Sequence, residues 1–311
     1  MATDPMTPAA RLAESRRGPA RGPSPKGRLV LGYALVTPII AVMVIAIVFP
    51  VANALVMSVQ DQRTIGSSET FAGFANYAKV LGDERFAAAL GRSGLWLALN
   101  MVVQTLLAFV AAFLMQGRGF WARSARTWIV LPWAIPTVAV AVIWQWMLNS
   151  NYGVIHKLFG SLGIDLGAPF GNPSWALFAI ILVNSWHWFP LSAVVVYGAL
   201  ATVPPEVLEA AKVDGANAWQ TFRAVTFPVL SPVLFALGLV GSLWSVNILD
   251  SIYLITEGGP SGATTTLPVY VYDKAFSAFR ASEAAAASVL TCLTLIVAAT
   301  LFVRFAKPKE D

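Results

Sequence analysis

Long runs of apolar residues alternate with short polar segments along most of the chain. Each run is long enough to cross the hydrocarbon core of a bilayer as a helix, which takes about 20 apolar residues. The pattern predicts six transmembrane helices, at 29–57, 93–116, 127–148, 174–198, 229–256 and 284–303. The first run is too long for one straight crossing, so we expect its ends to protrude or the helix to tilt. The fold class that follows is an all-α membrane protein.

The two ends of the chain differ from this pattern. Residues 1–27 are rich in Pro, Arg, Ala, Ser and Gly and have no apolar periodicity, which predicts a disordered tail. We therefore expect one transmembrane domain at 28–305 and a short polar tail at 306–311. The chain has no convincing internal repeat, which disfavours a transporter built from inverted repeats.

Composition agrees with a protein embedded in a membrane. Hydrophobic residues make up 57% of the chain and charged residues 12%, whereas about a quarter of the residues in soluble domains are charged. The net charge of +5 could indicate a nucleic-acid partner. The distribution of the charges argues against one, because the basic residues lie in alternate connections between the spans.

Basic residues mark one side of the membrane. Six precede the first span, three arginines follow the second, and three basic residues follow the last, whereas 149–173 holds one and 257–283 holds two. Cytoplasmic loops carry the excess of Lys and Arg. Both termini and the loop at 199–228 are therefore predicted to be cytoplasmic, in a multi-pass protein of the plasma membrane.

The connection at 200–228 has a local pattern of its own. Pro205 suits the first turn of a helix. Gly215 permits a reversal of the backbone that residues with a Cβ resist, and Asn217 can cap a second helix. The pattern predicts a helix, a glycine break and a second helix, with Pro228 marking the start of the fifth span.

The spacing within this loop resembles a known motif. Glu209-Ala210-Ala211 is followed by three residues, Gly215, nine residues and then Val225-Thr226-Phe227-Pro228. This resembles the EAA loop of ABC-importer permeases, with Val and Phe replacing the usual Ile and Leu. In that family the loop docks into a cleft of the ATPase subunit and transmits its motion. The coupling residues that the resemblance implies are Glu206, Glu209, Ala210, Ala211, Asp214 and Gly215. The alternative is an ordinary amphipathic cytoplasmic loop.

Two further segments restrict the resemblance to one subgroup of ABC-importer permeases. The fourth span contains Asn184-Ser185-Trp186-His187-Trp188-Phe189-Pro190, and the fifth ends in Thr256-Glu257-Gly258-Gly259-Pro260, followed by Thr264-Thr265-Thr266. This succession resembles the binding-protein-dependent sugar permeases of the maltose-permease type, as the first permease of a heterodimeric pair. The chain is also similar to the trehalose-importer permeases of actinobacteria, so trehalose is the favoured sugar.

The resemblance implies a fold and a set of partners. It implies the type I ABC-importer permease fold, a second homologous permease, two ATP-binding subunits and an extracellular sugar-binding protein or lipoprotein. ATP and Mg²⁺ would be bound by the ATPase subunits, and the chain itself would hold no cofactor. Membrane lipid surrounds such a protein, and no nucleic acid is expected.

The resemblance also implies sugar-contacting positions on the fourth and fifth spans. These are Asn184, His187, Trp188 and Leu191, and Gly241, Trp244, Ser245 and Ile248. Each set has the spacing i, i+3, i+4, i+7, which places it on one helical face. Indole rings can stack on pyranose faces, and polar side chains can bond hydroxyls. A structural interpretation stays open, because aromatic residues in spans commonly pack and His187 can bond to another helix.

Other polar residues in the spans receive lesser roles. Asn247 is a second-tier candidate for a sugar contact. Asp250 is the only charge that we place inside a span, ~30 Å beyond Leu230 if the helix is continuous. Its depth near the outer surface favours an outer-gate or structural role. Asn100 and Gln104 are expected to bond between helices rather than to line the path.

Signatures of catalysis are absent from the sequence. It has no phosphate-binding loop of Walker type, no nucleophile elbow and no paired catalytic carboxylates, and two isolated histidines and the single Cys292 do not make a metal site. We therefore expect a non-catalytic permease subunit. One alternative is a secondary transporter driven by an ion gradient through Asp250 and His187, which would leave the EAA loop without a purpose. An integral-membrane enzyme that uses the same two residues is the other.

Overall fold

The computed structural model describes residues 25–61, 70–117 and 119–306. Residues 1–24 of the predicted N-terminal tail and 307–311 of the C-terminal tail lie outside the described residues. Helices dominate the described part, where the only strands are β1 (Gln60–Asp61) and β2 (Thr70–Phe71), which pair antiparallel. The chain divides into two compact units, residues 1–53 and residues 54–311.

The described part of the N-terminal unit is helical and apolar. Helix α1 covers Pro25–Met43 and a π-helical turn covers Val44–Val48; α2 (Phe49–Ser58) crosses the boundary between the units at residue 53. The stretch Gly32–Ser58 is long and apolar enough to cross a membrane. The first predicted span is therefore confirmed as an apolar helix of sufficient length.

The second unit contains four more uninterrupted helices of sufficient length and apolarity. They include α4 (Glu84–Gln116), α9 (Ala176–Leu200) and α15 (Ala281–Ala306), close to the predicted spans. Helix α4 begins nine residues before the predicted boundary at residue 93. Its early start follows from Asp83, whose side chain accepts a hydrogen bond of 2.9 Å from the Arg85 N–H and caps the helix.

The remaining helices of this unit are α3 (Ala75–Leu81), α5 (Phe120–Trp128), α6 (Leu131–Ala134), α7 (Thr137–Met147), α8 (Val154–Ser161), α10 (Pro205–Val213), α11 (Ala218–Thr221), α12 (Phe227–Val246), α13 (Asp250–Thr256) and α14 (Leu267–Tyr272), with π-helical turns at Phe222–Thr226 and Asp273–Ser277. Among them, α11, the turn at Phe222–Thr226 and α12 form the fourth of these long helices, Ala218–Val246, and α5 to α7 form a bent pair.

The third predicted span is not one continuous helix. Helices α5 and α6 run to Ala134, and α7 leaves at an angle of 99°. The break falls at Ile135, which has an extended backbone (ψ 131°) immediately before Pro136. Proline disfavours helical geometry in the residue before it and has no N–H to continue the helix. The described residues thus contain five helices long enough to span, or six if the bent pair counts as one.

The fifth predicted span is wrong at its second end. Its α-helix, α12, begins at Phe227 with Pro228 in the first turn, as predicted. A π-helical turn, in which the Phe227 N–H bonds to the Phe222 carbonyl, joins it to α11, so the helical stretch is continuous from Ala218 to Val246.

The other end of this helix stops ten residues before the predicted boundary at residue 256. The Asn247 side chain donates to the Leu243 carbonyl at 2.8 Å. That carbonyl is the acceptor that the backbone N–H of Asn247 would use in an α-helix. Helix α12 therefore ends at Val246, and the chain resumes as α13.

The core of the second unit lies along the contact between α4 and α9. Trp96 of α4 packs with Ile180 and Ile181 of α9, and Ile252 of α13 joins the same cluster. The Trp96 Nε1 donates to the Ser245 carbonyl at 2.9 Å. A second cluster holds Ala112, Val196, Leu200 and Leu230 near the end of the bundle from which the 200–228 loop emerges. The loop and the polar residues of the spans are positioned by these two clusters.

Candidate functional site

The loop at 200–228 has the predicted order of helix, glycine and helix. Helix α10 begins with Pro205 in its first turn and ends at Val213. Gly215 has φ +79°, and its N–H donates to the Lys212 carbonyl at 3.1 Å, while the Ala216 N–H donates to the Ala211 carbonyl at 2.9 Å. These bonds close the helix in the way that a left-handed glycine permits. The prediction of a reversal at Gly215 is confirmed.

The second half of the loop begins with a reciprocal cap. The Asn217 side chain accepts the Gln220 N–H at 2.9 Å, and the Gln220 side chain accepts the Asn217 N–H at 2.8 Å. Both bonds satisfy donors that a helix N-terminus leaves free. The predicted cap at Asn217 is therefore confirmed.

Most of the predicted coupling residues are accessible. Glu206, Glu209, Ala210, Asp214 and Gly215 are exposed, and Ala211 is half-buried. The same helix exposes Val207 and Val213, the latter to 87%. Exposed apolar side chains between carboxylates suit a surface that another protein covers.

Aromatic side chains anchor the loop to the bundle, a contact that was not predicted from the sequence. The Phe222 ring lies 6.2 Å from the Phe109 ring and 6.5 Å from the Phe113 ring, measured between centroids. Trp219 stacks on Phe222 at 5.8 Å. Phe109 and Phe113 are one turn apart on α4. This spacing places two aromatic rings on one helical face, and it was the sequence signal that could have predicted the contact.

The structure brings together one residue from each predicted sugar-contacting set. The Trp188 and Trp244 rings meet edge to face, with 6.1 Å between centroids and 62° between planes. Trp244 is 55% exposed. The Trp188 Nε1 is buried and has no hydrogen-bond partner among the described residues. Leu191, one turn beyond Trp188, is half-buried.

Asn184 is occupied in contacts between helices. It is 1% exposed, its Nδ2 donates to the Asn100 Oδ1 at 2.7 Å, and its Oδ1 accepts from the Ser251 Oγ at 3.2 Å. The Ser185 Oγ also donates to the Asn100 Oδ1, at 3.3 Å. In this conformation Asn184 ties α9 to α4 and α13 and does not line a surface. The bond between helices expected for Asn100 is confirmed.

His187 also has a structural partner. It is 3% exposed, and its Nε2 lies 3.0 Å from the Ile135 carbonyl oxygen at the break of the third span. The helix break leaves this partly buried carbonyl without a donor from its own helix, and a donor is needed where water is excluded. His187 therefore satisfies the main chain of another helix in this conformation. Its neighbour Trp186 packs against Trp144 at 5.3 Å.

The positions predicted on the fifth span separate into two groups. Gly241 and Ser245 lie on a cavity of ≈ 320 Å³ between α4, α9, α12 and α15. Ile248 lies beyond the end of α12, so the prediction that it shares a helical face with Gly241 is wrong, because the helix has stopped. It packs against the α4–α9 core instead.

The structure also revises the roles of the lesser candidates. Asn247 uses its side chain to end α12. Asp250 is exposed and begins α13, so the depth estimated for it along a straight helix does not hold. Gln104 lines the cavity and bonds within its own helix, to the Asn100 Oδ1 at 3.2 Å. The prediction that it bonds between helices is therefore wrong.

The Gly-Gly-Pro segment folds back on itself. The Thr264 Oγ1 donates to the Gly259 carbonyl at 2.8 Å, and the Thr265 Oγ1 donates to the Gly258 carbonyl at 3.1 Å. Gly258 has φ +84°, and a Cβ there would lie 2.8 Å from the Thr265 Oγ1. The threonines in this segment hold the loop together, and Gly258 permits the backbone geometry.

An ion cluster lies at the opposite end of α4 from the loop at 200–228, on the side of the Gly-Gly-Pro segment. The Lys274 Nζ is 3.1 Å from the Asp83 carboxylate and 3.0 Å from the Glu283 carboxylate, and the Tyr270 hydroxyl donates to Asp83 at 2.8 Å. Burial raises the pKa of Asp83, but hydrogen bonds from the Arg85 N–H, Tyr270 and Lys274 outweigh it, so the pKa lies below its usual value.

Comparisons with known proteins identify the family. Residues 104–310 match the family of binding-protein-dependent transport system inner membrane components. The trehalose/maltose transport system permease protein MalF of Thermococcus litoralis is 27% identical over 89% of this chain and 92% of its own. The diacetylchitobiose uptake system permease protein DasB of Streptomyces coelicolor is 30% identical over 94% of this chain and 91% of its own.

A solved structure shares the fold. The bacterial alginate ABC transporter, determined in complex with an alginate pentasaccharide-bound periplasmic protein, matches with a TM-score of 0.75 at 20% identity, over 90% of this chain and 95% of its own. The fold is therefore that of an ABC-importer permease of type I, as predicted. The chain is a multi-pass membrane protein and belongs to the family of binding-protein-dependent transport system inner membrane components.

Proposed function

We propose that this chain is the permease subunit of an ATP-driven importer that carries a disaccharide, with trehalose favoured. Both relatives described above carry disaccharides in their names, trehalose and maltose in one and diacetylchitobiose in the other. A non-catalytic subunit of this kind forms half of the translocation path and takes its energy from a partner.

The coupling loop carries the proposal. Its accessible Glu209 lies on a short helix that ends at a left-handed glycine, with apolar Val207 and Val213 exposed beside it. Such a helix can enter a cleft of an ATPase subunit, and the Phe222 contact with α4 would carry the motion into the bundle. This requires that the loop and both termini face the cytoplasm, as the charge distribution indicates.

The partners follow from the same reasoning. One loop engages one ATPase cleft, so a second permease and two ATP-binding subunits, which would hold ATP and Mg²⁺, complete the transporter. A sugar-binding protein would dock on the outer face; the alginate transporter likewise forms a complex with a periplasmic protein.

The sugar would contact the pair Trp188 and Trp244. Trp244 offers an exposed indole face, and the Trp188 Nε1 is a buried donor that has no partner among the described residues. A ring face for stacking and an unused donor beside it suit a pyranose. Closure of the ATPase dimer would change the contacts that the two spans make with the sugar, which is what coupling requires.

Reconstitution tests this function. The complex of both permeases and the ATPase, placed in proteoliposomes with the binding protein, should take up labelled trehalose or maltose only when ATP is enclosed with the ATPase. Ionophores should leave the uptake unchanged. Uptake that needs no ATP and collapses with an ionophore would favour a gradient-driven transporter instead.

A further inference from the structure

The cavity between α4, α9, α12 and α15 lies between the coupling loop and the Trp188–Trp244 pair. Phe227 and Ser231 line it at one end and Ser245 at the other. Phe227 is the first residue of α12, so at 1.5 Å per residue Ser231 lies ~6 Å and Ser245 ~27 Å along that helix. A solute that leaves Trp244 toward the coupling loop would pass along this cavity.

Polar side chains in the cavity lining offer hydrogen bonds. Ser245 is 6% exposed, and its Oγ has no hydrogen-bond partner among the described residues. A buried hydroxyl without a partner costs free energy unless a ligand or water satisfies it. The Gln104 Nε2 donates to Asn100, which leaves its amide oxygen as an acceptor. The side chains of Ser192 and Ser231 line the same space.

Aromatic rings also line the cavity. The Phe235 and Phe302 rings stack 5.6 Å apart, with 15° between their planes, and both line the cavity. Gly238 lets Phe302 approach, because a Cβ at this position would lie 2.8 Å from the Phe302 Cζ. Polar groups and aromatic rings in one cavity suit a ligand that has both hydroxyl groups and an apolar face. A pyranose ring has both.

None of the 16 residues that line the cavity carries a charge. An anionic ligand would therefore lose its hydration without gaining an ion pair, which is costly in a low-dielectric site. The volume of ≈ 320 Å³ lies in the lower part of the range of small-molecule sites, about 300–1,000 Å³.

We propose that this cavity is a second sugar subsite, on the coupling-loop side of the tryptophan pair, and that it selects neutral sugars through Gln104, Ser231 and Ser245. The subsite rests on the proposed function as a sugar permease. It adds Gln104 and Ser231 to the sugar-contacting residues and predicts that acidic and phosphorylated sugars are excluded.

Uptake kinetics of the reconstituted complex provide the first test, with labelled trehalose and maltose as probes. Gln104→Leu and Ser231→Ala should each raise KM by about fivefold, the loss expected for one hydrogen bond. Ser242→Ala is the matched control, because Ser242 lies on the same helix and bonds to the Leu239 carbonyl. Trehalose 6-phosphate should not compete with the labelled sugar.

Cysteine protection provides the second test, in case a variant fails to assemble. Ser231→Cys in a Cys292→Ser background should react with a thiosulfonate reagent in the assembled complex, and trehalose should slow the reaction. Unchanged KM in both cavity variants, no protection of the cysteine, or a phospholipid retained in the cavity despite saturating sugar would overturn the subsite.

The two proposals can fail separately. If the wild-type complex takes up sugar with ATP and responds to Trp244→Ala while the cavity variants do not differ from Ser242→Ala, only the subsite is wrong. If the wild-type complex shows no ATP-dependent uptake of either disaccharide, the proposed function is wrong and the subsite with it.

Discussion

The His187 Nε2 lies 3.0 Å from the Ile135 carbonyl oxygen, one residue before the proline that breaks the third span. A carbonyl accepts, so Nε2 carries the hydrogen. His187→Leu would leave that carbonyl without its partner in a partly buried site. We expect it to destabilise the complex by about 1–3 kcal/mol, seen as a lower melting temperature of the purified transporter.

His187→Gln is the matched variant, since it restores a donor. We expect it to recover part of the lost stability. A sugar-contacting role would instead raise KM in both variants and leave the melting temperature unchanged, which would contradict the structural role.

The coupling loop should fail without its left-handed glycine. Gly215 has φ +79°, where a side chain costs about 1–2 kcal/mol, so Gly215→Val should displace the helix that carries Glu209. Glu209→Lys should reverse the charge presented to the ATPase. Both variants should assemble and lose sugar uptake, while ATP hydrolysis no longer responds to the sugar-loaded binding protein.

Gly198→Val is the control for this experiment, since a Cβ at Gly198 meets nothing within 4 Å. It should retain coupled uptake. Normal uptake by both loop variants would contradict the coupling assignment.

Trp244→Ala should weaken sugar transport and leave assembly intact. The side chain is 55% exposed, so its loss removes a stacking surface and little of the core. We expect KM for the disaccharide to rise about tenfold, equivalent to about 1.4 kcal/mol, with basal ATP hydrolysis unchanged. Trp121→Ala, which removes another exposed indole, should leave the kinetics unaltered. An equal effect of both substitutions would contradict a specific contact.

Asn184→Ala should act on stability more than on substrate affinity. Its amide bonds to Asn100 and Ser251, and its loss leaves two buried groups with fewer partners. We expect a cost of about 1–3 kcal/mol, measured as a lower melting temperature, and a smaller cost for Ser251→Ala. A raised KM at an unchanged melting temperature would place Asn184 in the sugar path.

Acid should weaken the ion cluster at the opposite end of α4 from the coupling loop. The pKa of Asp83 is lower in the folded protein than its ordinary value of 3.8, so its ionised form stabilises the fold above that value. This contribution is lost as the pH falls through the lowered pKa. Below about pH 5, the melting temperature of wild type should fall more steeply than that of Asp83→Asn. Identical slopes would show that Asp83 contributes nothing to this pH dependence.

The sequence by itself determined the features that are formed by residues close together in the chain. Apolar runs predicted the spans because a helix of sufficient length and apolarity is stable across a bilayer, whatever it packs against. Gly215 and Asn217 predicted the loop geometry because caps and left-handed turns are formed by residues within a few positions of each other. The family resemblance arose from the same loop.

The roles of the polar residues inside the spans were decided by tertiary structure. Periodicity placed Asn184 and Trp188 on one face of a helix, but it could not show that Asn184 meets Asn100 and Ser251, which are 84 and 67 residues away in the chain. Similarly, Asn247 ends α12 before Ile248. A buried polar group is satisfied by whichever helix lies against it, and helical periodicity contains no information about that neighbour.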